Sequence, residues 1–316
     1  MNAVFQLRSV TKRFGRTIGL DGVSYSAPPQ SVIGLIGKNG SGKTTLLRHV
    51  TGLYLPTSGE CETFGTPSGE LDRAGLSRIG VVNQHDTFLP WMRVRQLLRY
   101  VSSFYASWDR DLERHLISTL ELDDSARVGA MSPGSTQKLA LVVATCHRPE
   151  LLLLDEPLSD LDPIARQDVL KMLLDYFRQG SATIVISSHM LHDIERVADR
   201  IVCLDRGRIV ADAALDDLKE SFGEWWVTSE AGELPARFSD PFVVSSTGNR
   251  YQARVFVRNP EVNANEFRTR YNTEIDVRPL GLEGIFRLLA EGGKPELFTS
   301  GGDGSGSRLT EPAEQR

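Results

Sequence analysis

Two clusters of residues in this chain have the types and spacing that phosphate chemistry needs. The first is Gly37-Lys38-Asn39-Gly40-Ser41-Gly42-Lys43-Thr44, with Thr45 behind it. Its spacing, G-x-x-x-x-G-K-[ST], is that of a phosphate-binding loop. Glycines at 37, 40 and 42 let the backbone reach positive φ and come close to a ligand. The N–H groups so freed, with the start of the following helix, form a cradle for anionic oxygens. Lys43 would reach the outer phosphates, and the Thr44 hydroxyl would ligate Mg²⁺. The second cluster is Asp155-Glu156, directly after four leucines. Asp155 would hold Mg²⁺ through water, while Glu156 would orient and polarise the attacking water. His189 follows Ser187-Ser188 at a strand end, where an imidazole can hydrogen-bond a γ-phosphate or its water. Gln84 also ends a strand, and its neutral amide can touch Mg²⁺ or water. The implied ligand is a nucleoside triphosphate with its metal.

These residues need elements to hold them. Residues 31–36 form a short apolar run that reads as a buried strand before the loop, and residues 44–50 read as the helix after it. Residues 151–154 and 183–186 are continuous apolar runs, as expected for strands covered on both faces. Residues 79–83 are a shorter strand ending near Gln84, and residues 5–10 and 19–25 alternate in polarity like half-buried strands. The stretch 56–69 is rich in Gly, Pro, Ser and Thr and reads as loop. Residues 91–105, 111–122 and 138–146 read as helices, the last with Leu139, Val142, Val143 and Cys146 on one stripe. Ser132-Pro133-Gly134-Ser135 precedes it, so the positive end of that helix faces an anion or is an ordinary capped turn. Asp162-Pro163 opens a further helix, with Asp as N-cap and Pro at the first position. Beyond about Ser221 the composition changes. Short strands and turns from 225 to 257, a helix opened by Asn259 as N-cap and Pro260 at the first position, a strand at 273–277 and a helix at 282–289 describe a small α+β domain. Residues 293–316 are rich in Gly, Ser and charge and read as a disordered tail.

The 316 residues, 40% apolar, suffice for one large domain and a smaller one. A net charge of −5 gives no basic character that would suggest a nucleic-acid partner. Cys61, Cys146 and Cys203 are odd in number and far apart, which fits a reducing compartment without a disulfide or metal framework. No run approaches the ~20 apolar residues of a membrane span, and residues 1–10 lack a secretory pattern. A cytoplasmic chain is therefore expected.

The order of these motifs resembles the ATP-binding subunit of an ABC transporter across residues 4–215. Residues 37–44 match the family's Walker A loop, Gln84 its Q-loop, 131–135 its signature, 151–156 its Walker B strand, 159–162 its D-loop and His189 its switch histidine. Phe14 stands where the family places an aromatic ring against adenine. The signature departs from Leu-Ser-Gly-Gly-Gln at Met131, Pro133 and Ser135; Ser132 and Gly134 remain, the positions that in the family reach the γ-phosphate of the opposite subunit. Gln137-Lys138-Leu139 and Leu282-Glu283-Gly284-Ile285-Phe286 resemble segments of the ABC-2-type exporter branch.

The resemblance implies an α/β P-loop NTPase core of RecA-like type, spanning residues 1–221, with an antiparallel β subdomain and a helical subdomain near 85–150. The small domain at 222–292 is appended to it. It implies ATP and Mg²⁺ as ligands. Glu156, His189 and Gln84 serve the reaction. Phe14, residues 37–45, Asp155, Ser132 and Gly134 bind the nucleotide, and Thr44, Gln84 and Asp155 serve the metal. It also implies two partners: a second ATP-binding subunit, identical or paralogous, and an integral membrane permease received by region 84–98. The subunit then sits peripherally on the cytoplasmic face of the membrane and drives export. A weakly hydrolysing regulatory subunit, an importer ATPase and a non-transport ABC protein are the alternatives; a second cassette or a long coiled-coil insertion, expected of the last, is absent from the sequence.

Overall fold

The computed structural model describes residues 3–84, 86–180, 182–291 and 298–299. In chain order it begins with β1 (Phe5–Phe14), β2 (Thr17–Ala27), β3 (Val32–Ile36), α1 (Lys43–Val50), β4 (Ser58–Thr63), β5 (Thr66–Pro67), α2 (Arg73–Leu76) and β6 (Ile79–Val82). Then follow α3 (Val94–Ser102), α4 (Arg110–Thr119), α5 (Pro133–Thr145), β7 (Leu151–Asp155), α6 (Pro163–Gln179), β8 (Thr183–Ser188) and α7 (Leu191–Glu195). The last stretch holds β9 (Arg200–Asp205), β10 (Arg208–Ala214), α8 (Leu215–Ser221), β11 (Phe222–Ser229), β12 (Val243–Gly248), β13 (Gln252–Arg258), α9 (Pro260–Tyr271), β14 (Thr273–Pro279), α10 (Leu282–Glu291) and β15 (Phe298–Thr299). The chain divides into two units, 1–199 with 204–209, and 200–203 with 210–316. The sequence placed the division at 221; in the structure residues 200–203 and 210–221 go with the second unit.

The first unit is built on a parallel sheet in which β3 pairs with β8, β8 with β7 and β7 with β6. Leu151, Leu152, Leu153 and Leu154 are all 0% exposed. Such complete burial on both faces is what an uninterrupted apolar strand requires. The C-terminal ends of these strands point to one edge, where Ile36, Val82, Asp155 and Ser188 end them and the loops carrying chemistry begin. An antiparallel sheet of order β2-β1-β4-β5 forms the other layer. Here the structure corrects the sequence reading, since the stretch 56–69 is not loop throughout. Only Cys61 and Thr63 of β4 turn inward, so the strand shows little hydrophobic alternation. The Thr63 hydroxyl donates to the Val50 carbonyl at 2.7 Å, which satisfies its burial.

The helical stretch contains α3, α4 and α5. The sequence reading began the first of these at Trp91, but α3 begins at Val94, and Trp91 lies in the preceding turn, 68% exposed. The Gln96 side chain accepts from the Arg93 N–H at 2.9 Å and so closes the helix start there. α5 starts at Pro133 rather than Lys138, with Ser132 as N-cap.

The second unit contains an antiparallel sheet of order β12-β13-β11-β14. Trp225, Val227, Val255, Val257 and Ile275 from its inner face pack with Ala264 and Phe267 of α9. The expected side-chain cap by Asn259 is not formed. Its backbone is left-handed at φ 49° and its side chain makes no cap bond; Asn263 Nδ2 instead donates to the Arg258 and Asn259 carbonyls. Of the expected tail, Phe298–Thr299 forms β15, parallel to Ala211 and Asp212 of β10. The rest of 293–316 lies outside the described residues.

Candidate active site

The phosphate-binding loop joins β3 to α1. Gly42 stands at the N-cap of α1 with φ 111°, and a Cβ there would lie 2.6 Å from the Gly19 carbonyl. Only glycine fits both restrictions. No acidic residue occupies the first turn of α1, so its N-terminal N–H groups keep their attraction for an anion. Lys43 folds back over the loop: its ammonium donates to the Gly37 carbonyl at 2.8 Å and lies 3.5 Å from that of Lys38.

The two acids lie at the end of β7. Asp155 Oδ1 accepts from the Ser187 hydroxyl at 2.6 Å, and the same hydroxyl accepts the Glu156 N–H at 2.9 Å. Asp155 and Glu156 are each 5% exposed and Ser187 is 0%. Glu156 has φ 52°, a left-handed conformation that costs a non-glycine residue about 1–3 kcal/mol. That turn carries its carboxylate away from the strand. Glu156 Oε2 accepts from His189 Nδ1 at 2.8 Å and from the His189 N–H at 3.3 Å, while Oε1 lies 3.3 Å from the Lys43 ammonium. The contact to Lys43 is an ion pair without hydrogen-bond geometry, and Oε1 has no hydrogen-bond partner among the described residues. The Ser41 hydroxyl is likewise buried and unpartnered. Buried polar atoms left so are costly unless a ligand satisfies them.

Phe14, Asn39, Gly40, Ser41, Gly42, Lys43, Thr44, Thr45, Gln84, Asp155 and Glu156 line one cleft of about 470 Å³. Thr17, Ile18 and Gly19 complete its wall and were not singled out by sequence. Thr44, Gln84 and Asp155 thus line one cavity. Phe14 is 43% exposed; its ring meets Tyr54 edge-on, centroids 5.4 Å apart. The Tyr54 hydroxyl accepts from Arg48 at 2.6 Å, so this aromatic pair is anchored to α1. His189 reaches the site through Glu156 and is itself half exposed.

Ser132 and Gly134 are not among the residues lining the cleft. The Ser132 hydroxyl caps α5 by accepting the Ser135 N–H at 3.1 Å, and Pro133 fills the first helical position. Gly134 packs against the D-loop, since a Cβ there would lie 2.9 Å from the Asp160 carbonyl. Asp162, which ends that loop, accepts from the Ala165 and Ile164 N–H groups and is held below the usual carboxylate range, chiefly by Ala165. The altered signature therefore keeps a well-formed helix start on a solvent-facing edge.

An ABC transporter family model matches residues 20–159. The "Nod factor export ATP-binding protein I" of Burkholderia orbicola is 32% identical over 295 residues, 91% of this chain and 97% of that one. An uncharacterized ABC transporter ATP-binding protein of Bacillus subtilis is 33% identical over 69% of this chain and 74% of its own length. Among solved structures, an ATP-binding subunit of an ABC transporter superposes with a TM-score of 0.62 at 25% identity, covering 68% of this chain and 92% of that one. A dimeric ATP-binding cassette in a post-hydrolysis state with ADP and phosphate gives 0.60 at 22% identity, over 67% of this chain and 98% of that one, a likeness of fold. With the loop, the paired acids and this similarity along nearly its whole length, the chain belongs to the ATP-binding subunits of ABC transporters and is an ATPase.

Proposed function

We propose that the chain is the energy-supplying subunit of an exporter, working as one of two ATP-binding subunits beneath a separate membrane permease. The observation that carries the chemistry is the group formed at the end of the parallel sheet by buried Lys43, Asp155 and Glu156 with the half-exposed His189. Loop N–H groups and Lys43 hold the phosphates of ATP. Phe14 offers its exposed ring to the adenine. Glu156 accepts a proton from the water that attacks the γ-phosphate, and His189 orients that carboxylate and contacts the γ-phosphate. The set of Thr44 hydroxyl, Gln84 amide and Asp155 carboxylate is all oxygen, which suits a Mg²⁺ ion that keeps several waters and shares the phosphates. Bound there, Mg²⁺ neutralises charge on the phosphates.

Export is supported by the similarity to the Burkholderia relative, a Nod factor export ATP-binding protein. Region 84–98 is the proposed permease contact. It presents Trp91 at 68% exposure beside the start of α3, a large apolar surface flanked in sequence by Leu89, Pro90 and Met92. Ser132 and Gly134 are proposed to meet the γ-phosphate held by the second subunit. No helix among the described residues is long and apolar enough to cross a membrane. Attachment to the cytoplasmic face through the permease is accordingly part of the proposal, as is an accessory role for residues 222–292.

Fractionation of the producing cells tests this reading. The chain should sediment with membranes, and Trp91→Glu should release it while the purified variant still hydrolyses ATP. A chain found wholly in the soluble fraction, with or without that substitution, contradicts the transport role.

A further inference from the structure

Ser187 has not been given a role by the nucleotide motifs, yet its side chain bonds both the Asp155 carboxylate and the Glu156 backbone. It lies on β8 in register with Asp155 of β7, and it is completely buried. Its hydroxyl has one proton and two lone pairs. The proton goes to Asp155 Oδ1 at 2.6 Å, and a lone pair receives the Glu156 N–H at 2.9 Å. We propose that Ser187 is the positioning residue of the hydrolytic site. Its single hydroxyl sets the metal-facing carboxylate of Asp155 and the left-handed backbone of Glu156 in fixed relation.

The physical argument has two parts. Asp155 ends its strand in a buried position, and a carboxylate there turns freely about its last bond unless one oxygen is held. Ser187 holds Oδ1 of an Asp155 that lines the cleft, and so fixes how that carboxylate is turned. Glu156 then departs from strand geometry at φ 52°. Such a conformation persists only where surrounding bonds over-determine it. The Ser187 bond to its N–H is one; the pairing of its carboxylate with His189 and Lys43 is the other. One hydroxyl, donating to Asp155 and accepting from the Glu156 N–H, therefore serves both the arm that would hold the metal and the arm that activates water. Outer partners of this kind typically change metal affinity or activity 10–100-fold when removed. The inference rests on the ATPase reading and on Asp155 and Glu156 acting in it.

The test uses the full chain with Ser187→Ala and Ser187→Thr. Ala removes the hydroxyl without adding volume; Thr restores it. Each variant is measured for ATP affinity with EDTA, ATP affinity with Mg²⁺, and steady-state turnover. Ser187→Ala should bind ATP in EDTA within about twofold of wild type, because Lys43 and the loop are untouched. Its gain in affinity on adding Mg²⁺ should shrink about tenfold or more, and kcat should fall 10–100-fold with KM little changed. Ser187→Thr should recover both. Should Ser187→Ala keep the wild-type Mg²⁺ gain and turnover, the proposal is overturned. Should Thr fail as badly as Ala while EDTA binding stays normal, volume rather than the hydroxyl governs the site, and the proposal is again overturned. If wild type hydrolyses no ATP, it is the ATPase reading that fails, and the Mg²⁺ gain alone still judges Ser187.

Discussion

Replacing Glu156 by Gln should tighten nucleotide binding by a route separate from the loss of turnover. Without nucleotide, Lys43 faces Glu156 Oε1 at 3.3 Å, with both side chains under a tenth exposed. ATP or ADP must draw that ammonium toward its phosphates. At an effective dielectric of about 20, a pair at this distance attracts by about 5 kcal/mol. Burial takes most of that back. Because Oε1 makes no hydrogen bond, the net hold on Lys43 is set at ~1 kcal/mol, below that of a charged hydrogen bond. Gln keeps the shape and loses the charge, so the Kd for ADP should fall about fivefold. Isothermal titration with ADP in EDTA isolates this effect from hydrolysis and from the metal. His189→Ala leaves the Lys43 pair in place and should not reproduce the gain. An ADP affinity for Glu156→Gln equal to or weaker than wild type refutes the reasoning.

Three further outcomes follow from named contacts. Phe14→Ala should raise KM for ATP about tenfold, as for loss of a base stack, and leave the affinity for inorganic tripolyphosphate unchanged in competition assays. His49 and His147 are buried, and burial, the chief cause, lowers the pKa of each below its ordinary 6.5. The unfolded chain therefore binds more protons between the lowered values and 6.5; stability should be level above pH 6.5 and fall as pH drops below it, as read by thermal melts across pH. Trp225 is fully buried and Trp226 is 43% exposed. Trp225→Ala should cost about 3–5 kcal/mol of the second unit's stability in denaturant titration, whereas Trp226→Ala should cost well under half of that.

The phosphate loop and the Asp155-Glu156 pair were legible because the chemistry fixes residue types at fixed spacing within one short segment. The strands that hold them were legible for a related reason: a strand buried on both faces must be apolar throughout. What the sequence hid depends on register and backbone geometry. Ser187 meets Asp155 only because β7 and β8 align them, 32 positions apart in the chain. The left-handed turn at Glu156 leaves no mark in composition. β4 was missed because it buries only a cysteine and a threonine among outward-facing polar residues. Trp91 was read into a helix by its apolar neighbours, but the bond from Arg93 to Gln96 starts the helix later. Trp225 and Trp226 divide between core and surface, since adjacent strand residues point to opposite faces. The Asn259 cap failed because the backbone there turns left-handed rather than taking the extended geometry from which a side chain caps.

The central claim is that Glu156 activates water against a phosphate held by the 37–44 loop. The direct measurement is phosphate release from ATP under steady-state conditions by the wild-type chain and by Glu156→Gln, with ATP binding measured in parallel on both. The account predicts that Glu156→Gln binds ATP at least as tightly as wild type and turns it over about 10²–10⁴-fold more slowly, the range for loss of a general base. Turnover by Glu156→Gln within a few-fold of wild type would contradict it.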